Sequence, residues 1–312
     1  MDKRGFLVLE DGTVFEGRGF GAEVETVAEF VFNTGMNGHE NMLADPVNAG
    51  LGIVAAFPVV GSWGAPFEGK GTGRPGASAL VCREVSFCPP NNTGAQDIND
   101  FMIARGITGL KGVDTRQLTR RLRAAGSLKG AITFDAQCTM HNAQLTEQIQ
   151  NYKVQAGKLQ IEKLDGKIII GDGPGDPADY ARHIPEVKAL MESGLPVFGI
   201  GLGHQLIALA KGFQIVKLPH GHRGANYPVK ETATGKLYIT AQNHGYAVDA
   251  KSVNKDIAEI AYTNLHDGSV EGLIYKDCNC ASLQFFPETG PYVLRPNALF
   301  LQFIKGNTYA KT

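Results

Sequence analysis

Apolar residues in this chain recur at two different spacings, and the change from one to the other marks its organisation. Phe6-Leu-Val-Leu9 and residues 13–15 flank Glu10-Asp11-Gly12, which reads as two strands joined by an Asp-Gly turn. Glu29-Phe-Val-Phe32, Gly52-Ile-Val-Ala-Ala-Phe57 and Ala79-Leu-Val-Cys82 are further strand-like runs. Helical spacing covers Ile98 to Arg105, and again runs from a capping start at Asp114-Thr115 through Leu118, Leu122 and Ala125 to a stop at Gly126. Residues 136–163 are polar and weakly patterned, and predict a connector with one poorly defined helix. Beyond them strand and helix alternate. Lys167-Ile-Ile-Ile170 enters a glycine-rich loop, Ile184 to Ser193 is helical, and Leu195-Pro-Val-Phe198 is a buried strand. Leu237-Tyr-Ile-Thr240 and Ser282 to Pro287 read as strands. Alternation of this kind predicts a parallel sheet. The expectation is an α/β protein: an α+β domain over 1–135, a connector over 136–163, and a parallel-sheet domain over 164–312.

Composition narrows the function classes. The chain has 312 residues, 43% of them hydrophobic and 20% charged, with a formal net charge of −1. That balance suits a globular protein and favours neither nucleic acid nor an anionic membrane as partner. Arg116, Arg120, Arg121 and Arg123 read as a solvated helix face. No apolar run approaches the ~18 residues of a membrane span, and Met1-Asp-Lys-Arg-Gly5 leads into a strand rather than a signal sequence. The five cysteines are odd in number and few, which fits a reduced cytoplasm. Cys278-Asn-Cys280 has the wrong spacing for a zinc knuckle. Neither a metal nor a cofactor is expected.

Candidate chemistry centres on Gly199-Ile200-Gly201-Leu202-Gly203-His204-Gln205. A strand that breaks on glycines into a helix is a nucleophile elbow, which lifts one side chain above the sheet beside oxyanion-holding N–H groups. Here the apex, Gly201, has no side chain. Two other strings are ambiguous taken alone. Gly171-Asp-Gly-Pro-Gly-Asp-Pro177 is either a ligand loop at a strand end or a plain tight turn. Gln242-Asn243-His244-Gly245-Tyr246 either holds a polar ligand or is a hydrogen-bonded loop.

Together these strings resemble the small subunit of carbamoyl phosphate synthetase, a class I glutamine amidotransferase. In the first domain the resemblance rests on Leu7-Val-Leu-Glu-Asp-Gly-Thr13, Val31-Phe-Asn-Thr34, Asp45-Pro46, Gly112-Val-Asp-Thr-Arg116 and Leu118-Thr-Arg120. In the second it rests on Gly173-Pro-Gly-Asp-Pro177, Pro196-Val-Phe-Gly-Ile200, Leu202-Gly-His-Gln205 and Ile239-Thr-Ala-Gln-Asn-His-Gly245. It implies a β/β/α-type N-terminal domain followed by a flavodoxin-like amidotransferase domain. It also implies a chemistry: a cysteine, histidine and glutamate hydrolyse glutamine, and the ammonia passes to a large synthetase subunit that uses ATP and bicarbonate, in pyrimidine or arginine biosynthesis.

The departures from that pattern decide the expectation. The nucleophile position falls on Gly201, the base on Phe286, and only the orienting Glu288 remains. A serine that touches glutamine falls on Gly35. The family-matched pocket residues Gly173, Gly175, Leu202, Gln205, Asn243, Gly245 and Tyr246 persist. The family's opening strand, turn, helix and second strand have only 136–163 in their place, so the sheet is truncated and the Lys167–Ile170 strand lies nearer an edge. The resemblance therefore implies a non-hydrolytic partner of a large subunit. The alternatives are a glutaminase with a relocated nucleophile, such as Cys280, or a sensor of glutamine or a similar amide.

Overall fold

The computed structural model describes residues 3–66, 76–87, 95–136, 143–287, 297–306 and 309. The chain divides into two compact units, Met1–Gln155 and Ala156–Thr312.

The first unit is built on a barrel. In chain order its elements are β1 (Arg4–Leu9), β2 (Val14–Gly21), β3 (Thr26–Asn33), α1 (His39–Ala44), β4 (Leu51–Ala55), β5 (Val59–Val60), β6 (Ala65–Pro66), β7 (Ala79–Val81), β8 (Glu84–Val85), β9 (Ala95–Gln96), α2 (Ile98–Arg105), β10 (Thr108–Lys111), α3 (Thr115–Ala125), β11 (Leu128–Thr133) and α4 (Ala143–Asn151). Seven strands close in the order β1-β11-β3-β4-β7-β10-β2, which leaves that sheet without an edge. Leu7, Leu9, Phe30, Val54, Leu110, Leu118 and Leu122 form one of its cores. Asp114 caps α3 through a bond from the Gln117 N–H, and Gly126 ends it. Arg116, Arg120, Arg121 and Arg123 lie on its exposed face, Arg121 pairing with Asp11 at 2.6 Å. α4 takes up part of the polar stretch 136–163 and buries Leu145 and Ile149 against Ala131.

The second unit contains β12 (Ile161–Leu164), β13 (Lys167–Ile170), α5 (Ile184–Glu192), β14 (Val197–Ile200), α6 (Leu202–Ala210), β15 (Ile215–Glu231), β16 (Leu237–Val248), β17 (Ala258–Asn264), β18 (Val270–Tyr275), β19 (Cys280–Leu283) and α7 (Ala298–Ile304). Its sheet runs β12-β13-β14-β19-β18-β16-β15-β17, with β17 also pairing β18. The expected parallel sheet is a mixed one: only β13, β14 and β19 run parallel, and the rest pair antiparallel. Alternate β14 side chains face opposite layers. Val197 joins the core with Val187, Met191, Leu206 and Ile207, while Phe198 packs on Phe300 and Phe303 of α7 at 5.2 Å between ring centroids.

β13 is not the outermost strand. Asp165 and Gly166, with φ of 46° and 75°, form a two-residue hairpin that folds β12 back along it, the geometry an Asp-Gly pair favours. The Ser282–Pro287 expectation shortens to a strand ending at Leu283: the Gln284 N–H still reaches the Glu271 carbonyl of β18, but the Phe286 N–H turns to the Ala241 carbonyl of β16. Among the described residues no helix is long and apolar enough to cross a membrane.

Candidate functional site

β13 and β14 lie side by side in parallel register, Ile170 opposite Gly199, so the segments leaving their carboxyl ends are neighbours. That is where open α/β sheets place ligands. β14 ends at Ile200, Gly201 turns with φ 55° and ψ −111°, and α6 begins at Leu202. The elbow expected from the glycines is present. α6 sits so close over the sheet that a Cβ on Gly203 would come 2.0 Å from the Ile170 carbonyl oxygen, and only glycine fits there.

The space a side chain at 201 would take is filled from the neighbouring loop. A Cβ built on Gly201 would lie 2.1 Å from Cγ of Asp172 and 2.2 and 2.3 Å from its two carboxylate oxygens. Asp172 Oδ1 accepts hydrogen bonds from the Leu202 N–H at 2.7 Å and the Gly173 N–H at 2.8 Å. The Leu202 and Gly173 N–H groups, expected from the sequence as donors to a ligand, both donate to this carboxylate. Asp172 itself escaped the sequence reading, although it stands inside the loop that reading singled out.

Several family-matched residues do come together. The Gly173 Cα faces Leu202, whose Cδ2 a Cβ at 173 would meet at 2.9 Å. The Tyr246 hydroxyl donates to Asp176 at 3.1 Å, tying β16 to the loop that contains Gly175, itself at φ 88°. The Gln205 side-chain amide donates to the Tyr246 carbonyl at 3.0 Å and to Gln284 at 2.9 Å. Gln242 to Tyr246 is strand rather than the hydrogen-bonded loop the sequence offered as one reading. It lies within β16 and pairs with β15, Asn243 opposite Arg223 and His244 opposite His222. A Cβ on Gly245 would meet Arg223 Nη2 at 3.2 Å. Gly35 lies in the first unit, its N–H bonded to Asn33 at 2.7 Å. Phe286 is half-buried. Glu288 lies outside the described residues.

The buried histidines divide by environment. His204 is wholly buried with Nδ1 2.8 Å from the Ser282 hydroxyl, and burial lowers its pKa to about 3. His244 is held neutral by burial and by the neighbouring charge of His222. His222 is the exception. Burial opposes its charge, but the contacts of Nε2 with Asp267 at 3.0 Å and of Nδ1 with Glu271 at 3.4 Å outweigh it and push its pKa up to about 9. His222, His244 and Glu271 place their ligand atoms within 4.8 Å of one another. A metal ligand must be neutral imidazole, whereas His222 faces a carboxylate with each nitrogen. The cluster suits a proton better than a metal ion. It was invisible in the sequence, His244 and Glu271 lying 22 and 49 residues along the chain from His222.

Cys280 does not stand at the elbow. Cys280 is fully buried, and burial raises its thiol well above the ordinary value. It pairs with Val197, four residues before Gly201 and so about 13 Å away along the strand.

Comparison with known proteins agrees with this architecture. Residues 7–132 match the family described as carbamoyl-phosphate synthase small chain, CPSase domain, and residues 130–306 match glutamine amidotransferase class-I. The carbamoyl phosphate synthase small chain of Listeria innocua is 35% identical over 353 aligned positions, covering 98% of this chain and 97% of the relative. That of Bacillus thuringiensis is 35% identical over 345 positions, covering 96% and 94%. Both alignments are longer than the 312-residue chain, so the relatives carry residues this one lacks. A solved glutamine amidotransferase from Thermotoga maritima is 20% identical, with a TM-score of 0.32 over 41% of this chain and 61% of that one. With two family matches in tandem and near-complete coverage by these relatives, the chain belongs to the carbamoyl phosphate synthase small-chain family.

Proposed function

We propose that this chain is a small-subunit homologue that does not hydrolyse glutamine and serves as a structural or regulatory partner of an ammonia-using large synthetase subunit. The observation that carries the reading is the elbow itself: its apex is Gly201, with the Asp172 carboxylate where a nucleophile would stand. Phe286, at the position of the base, can neither accept nor donate a proton. Attack on a carboxamide needs a strong nucleophile and a base acting as a unit, and loss of two members abolishes activity about as fully as loss of all. The first unit, whose family strings survive best, carries the contact with the large subunit in this proposal, and the cytoplasm is the compartment.

The test is glutamate release from glutamine by the purified chain, alone and with a matching large subunit. The expected result is no release above the uncatalysed rate, together with co-purification of the two subunits. Failure to bind any large subunit overturns the partner reading. Release that disappears in Cys280→Ala establishes a relocated nucleophile instead. Calorimetric binding of glutamine without turnover favours the sensor.

A further inference from the structure

We propose that Asp172 is the built-in occupant of the elbow's anion subsite, a residue that fixes what the site refuses. Two observations meet at this side chain. The first is donor use. In an elbow the N–H after the apex holds the acyl oxyanion. Here that group, on Leu202, donates to Asp172 Oδ1 at 2.7 Å, and the Gly173 N–H donates to the same oxygen at 2.8 Å. The second is space. The carboxyl carbon lies 2.1 Å from where a Cβ on residue 201 would begin, so this placement of Asp172 exists only because residue 201 is glycine. The two residues are one arrangement.

The carboxylate does two things there. It supplies negative charge and an acceptor at the start of α6, whose own preceding residue, Gly201, offers no side-chain cap. It also denies those donors to any carboxamide or acyl oxygen that enters and places a like charge against a developing oxyanion. A thiol restored at 201 therefore competes with the Asp172 carboxylate for the same space, and clearing the site for a thiol at 201 and an imidazole at 286 takes replacement of Asp172 as well. The inference deepens the functional reading above and fails separately from it.

The experiment compares Gly201→Cys with Gly201→Cys/Asp172→Ala, following iodoacetamide alkylation of the peptide that contains position 201 against pH. A carboxylate beside a thiol disfavours the thiolate. The single variant is expected to react at pH 7 at least about 10-fold more slowly and to show the higher thiol pKa. Equal rates and equal pKa values overturn the proposal. Because Gly201→Cys crowds the turn, a second pair keeps the glycine. Asp172→Ala is expected to melt several degrees below the parent. Formate should restore the difference by occupying the vacated donors, and chloride at equal ionic strength should not. The parent should respond to the two salts alike. An Asp172→Ala protein that melts with the parent, or that responds equally to formate and chloride, overturns the proposal. Glutamate release by the parent overturns the functional reading while leaving the formate result standing.

Discussion

Raising the pH from 6 to 9.5 should loosen the second unit through one side chain. His222 sits 3% exposed with Asp267 from the loop before β18 and Glu271 from β18 itself on its two nitrogens. His244 of β16 and Tyr227 of β15 lie at ring-centroid distances of 4.9 Å, and Asn264 of β17 donates to Glu271 at 2.9 Å. Its pKa rises from 6.5 to about 9 on folding. At about 1.36 kcal/mol per pKa unit, that is about 3 kcal/mol as an upper value. A group whose folded pKa is raised contributes fully below its unfolded pKa and loses that contribution as pH climbs through the folded one. The window is therefore pH 6.5 to about 9. The lowered pKa of Asp267 is the same contact seen from the other partner and is not added. The assay is urea dependence of hydrogen exchange in β16 to β18 peptides, which reports this unit rather than the barrel. The parent should lose most of that stability across the window, and His222→Gln, which does not titrate, should lose much less. Parallel curves for the two proteins would refute the reasoning.

Three substitutions test the packing around the elbow and the barrel. Gly203→Ala forces a Cβ to 2.0 Å from the Ile170 carbonyl oxygen and should cost about 3 kcal/mol in urea unfolding of the second unit. Tyr180→Phe removes the hydroxyl that accepts from Gly157 at 2.7 Å and donates to Pro174 at 2.8 Å, stranding two backbone groups. The expected loss is ~1–3 kcal/mol, read the same way. In the first unit Asp114→Ala removes the cap on α3, with about 1 kcal/mol lost and faster exchange confined to the first turn of that helix.

Local rules account for what was legible in the sequence. Asp114 and Gly126 delimit α3 to the residue, and the Asp-Gly turn sets the β1–β2 hairpin. The glycines around 201 announced the elbow. The Leu164-Asp-Gly-Lys167 hairpin used the same turn signal and was missed, since Ile161 to Leu164 is a short, largely exposed edge strand with little apolar pattern of its own. Gln242 to Tyr246 reads as polar loop because its side chains bond one another and β15 within a half-buried ladder, and that is a tertiary fact. Asp172 was beyond reach for a related reason. Its meaning depends on a partner 30 residues away, brought beside it only when β13 and β14 pair.

The φ of 55° and ψ of −111° at Gly201 have an energetic consequence. A nucleophile held in such a turn stores strain, of order 1–3 kcal/mol for a residue with a Cβ, that the rest of the fold must offset. Glycine adopts the same turn at little cost. A chain released from hydrolysis therefore keeps the architecture of the elbow and recovers the free energy that reactivity consumed. Under the proposed function, the trade between stability and activity is settled at this single backbone position, in favour of stability.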